Sequence, residues 1–279
     1  MFKDQTIAFI GSGIMGEAMI RGLLSQNSVT AAQIIASDPW LPRLDELKEK
    51  YSIHVTKDNR EAAEAGQIIV LSIKPQSVPL VLPEIRGHLR SRDLLLSIIA
   101  GMPIRKLADG SAHAAVVRAM PNTPAQIGQG ISVWTATPEV SSEQKKQAQT
   151  ILASFGKEIS VDEEDYLDMA TALSGSGPGY VFLFMEALID AGVHMGFSRR
   201  VAEELVFQTI LGSVEFAAQS GKHVAELRNQ VTSPGGTTAS ALYHMEKGGL
   251  RTVISRGIWA AYQRSIELGK GKPDKGPNL

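Results

Sequence analysis

The chain has 279 residues, 43% of them apolar, which is enough for a buried core and for two modest domains. Lys and Arg number 28 against 29 Asp and Glu, so there is no basic field to attract nucleic acid or an anionic membrane surface. Cysteine is absent, which removes disulfides, thiolate nucleophiles and cysteine metal sites and fits a cytoplasmic setting.

No long apolar leader follows MFKDQ, and the longest apolar runs, near Ile68 and Leu94, are strand-sized; a soluble protein is expected. The stretch 6–24, TIAFIGSGIMGEAMIRGLL, joins a short apolar strand to an amphipathic helix through Gly11, Gly13 and Gly16. Gly11 permits a tight turn, Gly13 lets the backbone approach a pyrophosphate, and Gly16 lets the helix lie close on the strand. Met15, Met19 and Leu23 are spaced to face a sheet. Strand, turn and helix in this order predict a dinucleotide site in which N–H groups at the helix start face the phosphates.

A second strand is predicted over 33–37 and a crossover helix over 41–50. Asp38 follows the last glycine by about 20 residues, where an acid meets the adenosine ribose hydroxyls; an Asp-Pro turn is the other reading. Next come a helix at 60–65, a strand at 67–73, a turn at Lys74-Pro75, a helix from Gln76 and a strand at 94–99. Strands at 115–118 and 131–134 flank the turn-rich MPNTP, followed by a helix at 142–155 and a short strand at 158–161. The alternation predicts an α/β fold with an N-terminal doubly wound, Rossmann-type sheet over 1–161.

From residue 162 the pattern becomes nearly continuous helix, predicting an all-helical domain over 162–268 and a disordered polar tail over 269–279. The segments 180–195 and 201–218 are apolar on more than one face. A domain of this size cannot cover such helices alone, so a dimer with interleaved helices is expected.

Three further features bear on chemistry. In VTSPGGTTASAL, residues 231–242, Pro234, Gly235 and Gly236 make a turn and a helix begins at Thr237 or Thr238. A helix start without charged side chains suits a small carboxylate; on spacing alone, a capped helix after a Pro-Gly turn is the plainer reading. LSGSGPG, residues 173–179, lacks the glycines of a nucleophile elbow around Ser176, and its small residues suit close approach of the two domains or of helix and cofactor. The six histidines form no HxxxH or HExxH pair, and no metal is expected.

GSGIMG, Ile73-Lys74-Pro75, the RAMPNTP at 118–124, the SGSGP at 174–178 and the VTSPGGTT at 231–238 occur in this order in a known family. Over essentially its full length the chain resembles the pyrroline-5-carboxylate reductases. The resemblance implies NAD(P)H-dependent reduction of 1-pyrroline-5-carboxylate to proline and a helical domain that forms a homodimer, often assembled into larger rings such as a decamer. By matching position it implies cofactor contacts at Gly11, Ser12, Gly13, Ile14, Met15 and Gly16, at Asn59, at Ser72, Ile73, Lys74 and Pro75, and at Ile98, Ile99 and Ala100. It implies substrate contacts at Ser233, Gly236, Thr237 and Thr238, with Glu164 nearby. Gln230 stands where a cofactor-reaching Asn is often found, and Asp38 where members favouring NADPH often carry a small hydroxyl residue. Asp38 would repel a 2′-phosphate, whereas Ser37 and Arg43 could bind one, so NADP is expected with NAD also possible.

The chemistry expected of this family asks little of side chains. The cofactor carries the hydride, Thr238 is the candidate catalytic donor to the imine nitrogen, and the N–H groups of the 236–238 turn hold the carboxylate. Rival readings are reduction of another cyclic imine or of a β-hydroxy acid, for which no Lys base stands out, and a non-catalytic NAD(P)-sensing protein.

Overall fold

The computed structural model describes residues 2–271. From the N-terminus these form β1 (Ile7–Ile10), α1 (Ile14–Ser25), β2 (Ile34–Ser37), α2 (Leu41–Tyr51), β3 (His54–Thr56), α3 (Asn59–Ala65), β4 (Ile68–Leu71) and α4 (Val78–Ile85). They continue with β5 (Leu94–Ser97), α5 (Ile104–Ser111), β6 (Val116–Met120), β7 (Gly130–Ala136), α6 (Ser142–Ala153) and β8 (Gly156–Ser160). The strands make one sheet in the order β3-β2-β1-β4-β5-β6-β7-β8. Every pairing is parallel except that of β6 with β7.

β1, β2, β4 and β5 are buried along their whole length, which is why β1 and β4 read as unbroken apolar runs, and β2 and β5 as apolar runs closed by the buried Ser37 and Ser97, rather than as alternations. Within β1 the pleat still sorts the side chains. Ile7 and Phe9 join Met19, Leu23, Ile151 and Leu152 on the α1 and α6 face, while Ala8 and Ile10 join Ala62, Leu82 and Leu107 on the α3, α4 and α5 face. The predicted facing of Met19 and Leu23 holds, and Met15 packs half-buried against the same core.

β3 and α5 have no counterpart in the sequence reading. β3 is three residues long with His54 exposed, and α5 places only Leu107 and Ser111 in the interior. β3 is too short to show a period, whereas α5 carries one in Ile104, Leu107, Ala108 and Ser111 that a run of only eight residues, broken by Gly110, left unread.

After β8 come α7 (Asp165–Ala170), one π-helical turn at Thr171–Gly175, and α8 (Gly177–His194). LSGSGPG is therefore helical apart from a bend at Ser176. Within the first unit Gly175 lies close to β6, where an added Cβ would be 2.6 Å from Met120 Cε. Contacts divide the chain between Ser176 and Gly177, later than the boundary at 161/162 read from composition, and return the described stretch 261–271 to the first unit. The physical cause is that α7 is bound to the sheet-bearing unit through ion pairs with Arg118.

The second unit, Gly177–Ala260, contains α8, α9 (Arg199–Ser220), α10 (Val224–Gln230), α11 (Thr237–Lys247) and most of α12 (Leu250–Gly269). α8 and α9 meet where Gly192 faces Ala202, 3.0 Å from an added Cβ. Beyond that crossing the helices are bare: Phe182, Leu183, Leu205, Phe207, Leu211, Val214 and Phe216 are all half or more exposed. The run Asp165–His194 is long and apolar enough by length and composition to cross a membrane. Glu186 and Asp190 interrupt it, which is why no contiguous apolar stretch stands out in the sequence. Residues 272–279 of the expected tail lie outside the described residues, and 269–271 close α12 and the turn after it.

Candidate active site

β1 pairs with β2 on one side and β4 on the other, so the chain direction of the crossovers reverses between β1 and β4. In open α/β sheets that switch point, beyond the carboxyl ends of the strands, is where ligands bind. The glycine loop occupies it. Gly11 has φ +85° and leaves no room for a side chain, since a Cβ would sit 2.9 Å from Ser72 O. Gly16 holds α1 against the loop, with a Cβ position 2.8 Å from Gly11 O. Gly13 faces open space, nothing lying within 4 Å of a Cβ there. Two glycines close the loop and the third leaves the backbone bare.

α1 has Gly13 as its N-cap and no side-chain cap, so the N–H groups of Ile14, Met15 and Gly16 point outward without a capping partner. These features fit a pyrophosphate. Ser72 closes the switch point by donating from Oγ to Gly11 O at 2.5 Å, and Ile73, Lys74 and Pro75 follow directly. Ile98, Ile99 and Ala100 continue from β5 on the same edge, with Ile98 N donating to Leu71 O at 3.0 Å.

At the end of β2, Asp38 is more than a turn residue. Its Oδ2 accepts from Ser12 N and its Oδ1 from Trp40 N, each at 3.0 Å, so one carboxylate ties the glycine loop to the start of α2. Ser37, offered by the sequence as a 2′-phosphate ligand, is fully buried and donates its hydroxyl to Asn59 Oδ1. Asn59 in turn donates to Glu84 at 2.7 Å. Arg43, the other candidate for that phosphate, donates from Nε to Ser12 O at 2.7 Å, from Nη1 to Glu46 at 2.7 Å and from Nη2 to Glu17 at 2.5 Å. Both candidates for a 2′-phosphate, Ser37 and Arg43, are thus hydrogen-bonded to neighbouring side chains in this structure. Asp38→Asn keeps an acceptor for the loop and removes the charge, and it should raise the NADPH-to-NADH ratio of catalytic efficiencies. An unchanged ratio would confine Asp38 to holding the loop.

Glu17 sits in the first turn of α1 and also accepts from Lys50 Nζ at 2.8 Å and Tyr51 OH at 2.7 Å. Burial alone would raise its carboxyl, but the hydrogen bonds from Lys50, Arg43 and Tyr51 outweigh that and hold it at about 2 instead of the ordinary 4.5. Because the folded value is the lower one, this stabilisation is complete above the unfolded pKa. It is lost as pH falls through the folded value, a window from about 4.5 to about 2. Urea midpoints should fall steeply across that window, and Glu17→Gln should flatten the fall, by on the order of 2 kcal/mol after discounting for solvent around Lys50.

The second candidate element lies in the helical unit. Gly235 turns the chain with φ +71°, Gly236 N donates to Ser233 O at 3.0 Å, and α11 starts at Thr237 with Gly236 as N-cap. An added Cβ on Gly236 would collide with the Ser233 hydroxyl. No side chain caps α11, and Thr238, half-buried in the first turn, has no hydroxyl partner among the described residues. The turn thus presents N–H donors and a free hydroxyl together, with no charged side chain in its sequence. Ser233 and Thr237 are exposed on it, and Gln230 ends α10 on the surface.

Glu164, expected near the substrate, has another task here. Its Oε1 accepts from Arg118 at 2.6 Å and from Ile104 N at 2.7 Å. Arg118 is buried, reaches Asp168 at 3.4 Å, and Asp168 accepts from Ser265 at 2.7 Å, so β6, α5, α7 and α12 meet at one guanidinium. The sequence reading singled out neither Arg118 nor Glu17. The signal for Arg118 was available: one charge inside the apolar run VVRAM has to be paired if the strand is buried.

Fold and loop together define a dinucleotide-binding, Rossmann-type protein carrying a separate helical unit. A family model described as NADP oxidoreductase, coenzyme F420-dependent, matches residues 6–101, and one described as pyrroline-5-carboxylate reductase dimerisation matches 164–268. A pyrroline-5-carboxylate reductase of Synechocystis is 39% identical over 95% of this chain and 98% of its own, and one of Pseudomonas aeruginosa is 41% identical over 94% and 96%. The crystal structure of a Plasmodium falciparum pyrroline carboxylate reductase with NADP bound superposes with a TM-score of 0.88 at 35% identity, covering 96% of this chain and all of that one. The chain belongs to the pyrroline-5-carboxylate reductase family. Its helical segment is a dimerisation domain, which accounts for the bare apolar faces of α8 and α9.

Proposed function

We propose that this chain reduces 1-pyrroline-5-carboxylate to proline with NADP(H), and also with NAD(H), as the hydride source. The observation that carries this reading is the pair of uncapped helix starts: one at the switch point with a bare glycine, suited to a pyrophosphate, and one on α11 beside a free hydroxyl, suited to a small carboxylate. The relatives named above carry the same activity in their names.

The reduced nicotinamide supplies a hydride. N–H groups of residues 14–16 hold the pyrophosphate, with Ser12, Asn59, the 72–75 segment, the 98–100 segment and Gln230 as further cofactor contacts. N–H groups at Thr237 and Thr238, with the Ser233 hydroxyl, hold the substrate carboxylate, which orients the ring, while the Gly236 N–H closes the turn on Ser233 O. As hydride adds to the imine carbon, the C=N π pair moves to nitrogen, and the Thr238 hydroxyl donates to that nitrogen. The iminium takes its proton from solution, so no side-chain acid is required. Glu164 acts in this scheme by holding Arg118 and the start of α5.

The working unit is a homodimer built on the apolar faces of α8 and α9, open to assembly into a ring such as a decamer, and it acts in the cytoplasm. Mixing the protein with racemic 1-pyrroline-5-carboxylate and NADPH or NADH should consume reduced nicotinamide and form proline in equal amounts. Binding of dinucleotide without consumption would leave only a sensing role.

A further inference from the structure

Cofactor choice is decided where β2 ends, because the adenosine ribose of a dinucleotide on this loop lies there. The Plasmodium relative was solved with NADP bound, so the fold admits the 2′-phosphate. Preference must then come from the side chains of each chain. A phosphate dianion needs a cation with donors to offer. Arg43 is well placed, since its Nε already touches Ser12 O in the glycine loop. One N–H on each Nη is engaged by Glu46 and Glu17, whose carboxylates also neutralise the guanidinium, and its side chain is only 12% exposed. Glu17 is itself held in place from two further directions by Lys50 and Tyr51.

Resting on the cofactor reading above, we propose that Glu17 is a specificity-determining residue: by engaging Arg43 it withholds the guanidinium from a 2′-phosphate, leaves Asp38 to meet the ribose, and so favours NADH over NADPH. Asp38 strengthens the bias, because both of its oxygens accept only backbone N–H groups, from Ser12 and Trp40, and no cation neutralises it in the described residues. A ribose diol can donate to such a carboxylate. A phosphate cannot. The buried Ser37 hydroxyl, turned to Asn59, offers the phosphate no replacement donor.

The test is binding, read by fluorescence titration of the full-length protein with NADH and NADPH, with 5′-AMP and 2′-AMP as competitors. The native protein should bind NADH more tightly. Glu17→Gln keeps the shape, removes the carboxylate charge that pairs with Arg43 Nη2 while Ser12 O and Glu46 keep Nε and Nη1, and should shift the affinity ratio toward NADPH by about tenfold. Adding Arg43→Gln to that variant should cancel the shift. Arg43→Gln alone should leave the ratio unchanged, which keeps the proposal testable should Glu17→Gln fail to fold. An unchanged ratio in folded Glu17→Gln would overturn the proposal, as would loss of NADPH affinity alone in Arg43→Gln. Failure of the native protein to bind either dinucleotide would overturn the cofactor reading itself, and the inference with it.

Discussion

Replacing Thr238 by Ala should cut turnover about ten- to hundredfold while leaving dinucleotide affinity nearly unchanged. A hydrogen bond to a group whose charge changes in the reaction is worth roughly 1.5–3 kcal/mol, and each 1.4 kcal/mol is about a factor of ten in rate. The dinucleotide is held by the loop after β1, so its binding has no reason to follow the hydroxyl on α11. Two further variants separate chemistry from shape. Thr238→Ser keeps the hydroxyl and should retain most of the activity. Thr238→Val keeps the shape without the donor and should behave like Ala. The helix start itself should survive all three, since Gly236, not Thr238, is the N-cap. Steady-state kinetics at saturating cofactor, with melting temperatures alongside, distinguish these outcomes. Equal activity of the Val and Ser variants would leave Thr238 as a helix-start residue and the carboxylate as the only group the turn engages.

Phe207→Asp should disrupt the assembly and, with it, activity. Phe207 lies on α9 with half its surface open, on one face with Leu211 and Val214 in the same state. A two-fold interface would bury two copies of the new charge against apolar neighbours. An unpaired buried charge costs several kcal/mol, so the dissociation constant should rise by about a hundredfold or more. Sedimentation velocity should show monomer or aggregate where the native protein sediments as a dimer or larger. Ala in place of Asp should cause a smaller shift, because it removes apolar area without adding charge. A Phe207→Asp variant that sediments as the native protein does would place the interface elsewhere.

Much of the sheet was legible because buried parallel strands leave unbroken apolar runs, as IAFI and IIVL do. The glycine loop was legible because three backbone constraints fall at fixed spacing. β3 was missed because its role is to pair with β2, and backbone pairing leaves no apolar signature in three residues. Contacts group α7 with the sheet although the helical composition begins near 162, because ion pairs bind α7 to Arg118 and composition is blind to pairing. The same limit explains Ser37 and Arg43. Their chemistry suits a phosphate, and only the fold shows that Asn59, Glu17 and Glu46 reach them first. Nor does the sequence around Glu164 announce its ion pair, which forms because β6 brings Arg118 beneath it.

The most direct test of hydride transfer to the imine uses reduced nicotinamide dinucleotide carrying deuterium at the transferable position of C4. Incubated with this protein and 1-pyrroline-5-carboxylate, it should yield proline with one deuterium on the ring carbon that had been the imine carbon, beside nitrogen and away from the carboxylate. The label should be stoichiometric with nicotinamide oxidised and absent from solvent. Proline formed without the label, or no proline formed while the dinucleotide binds, would contradict the account.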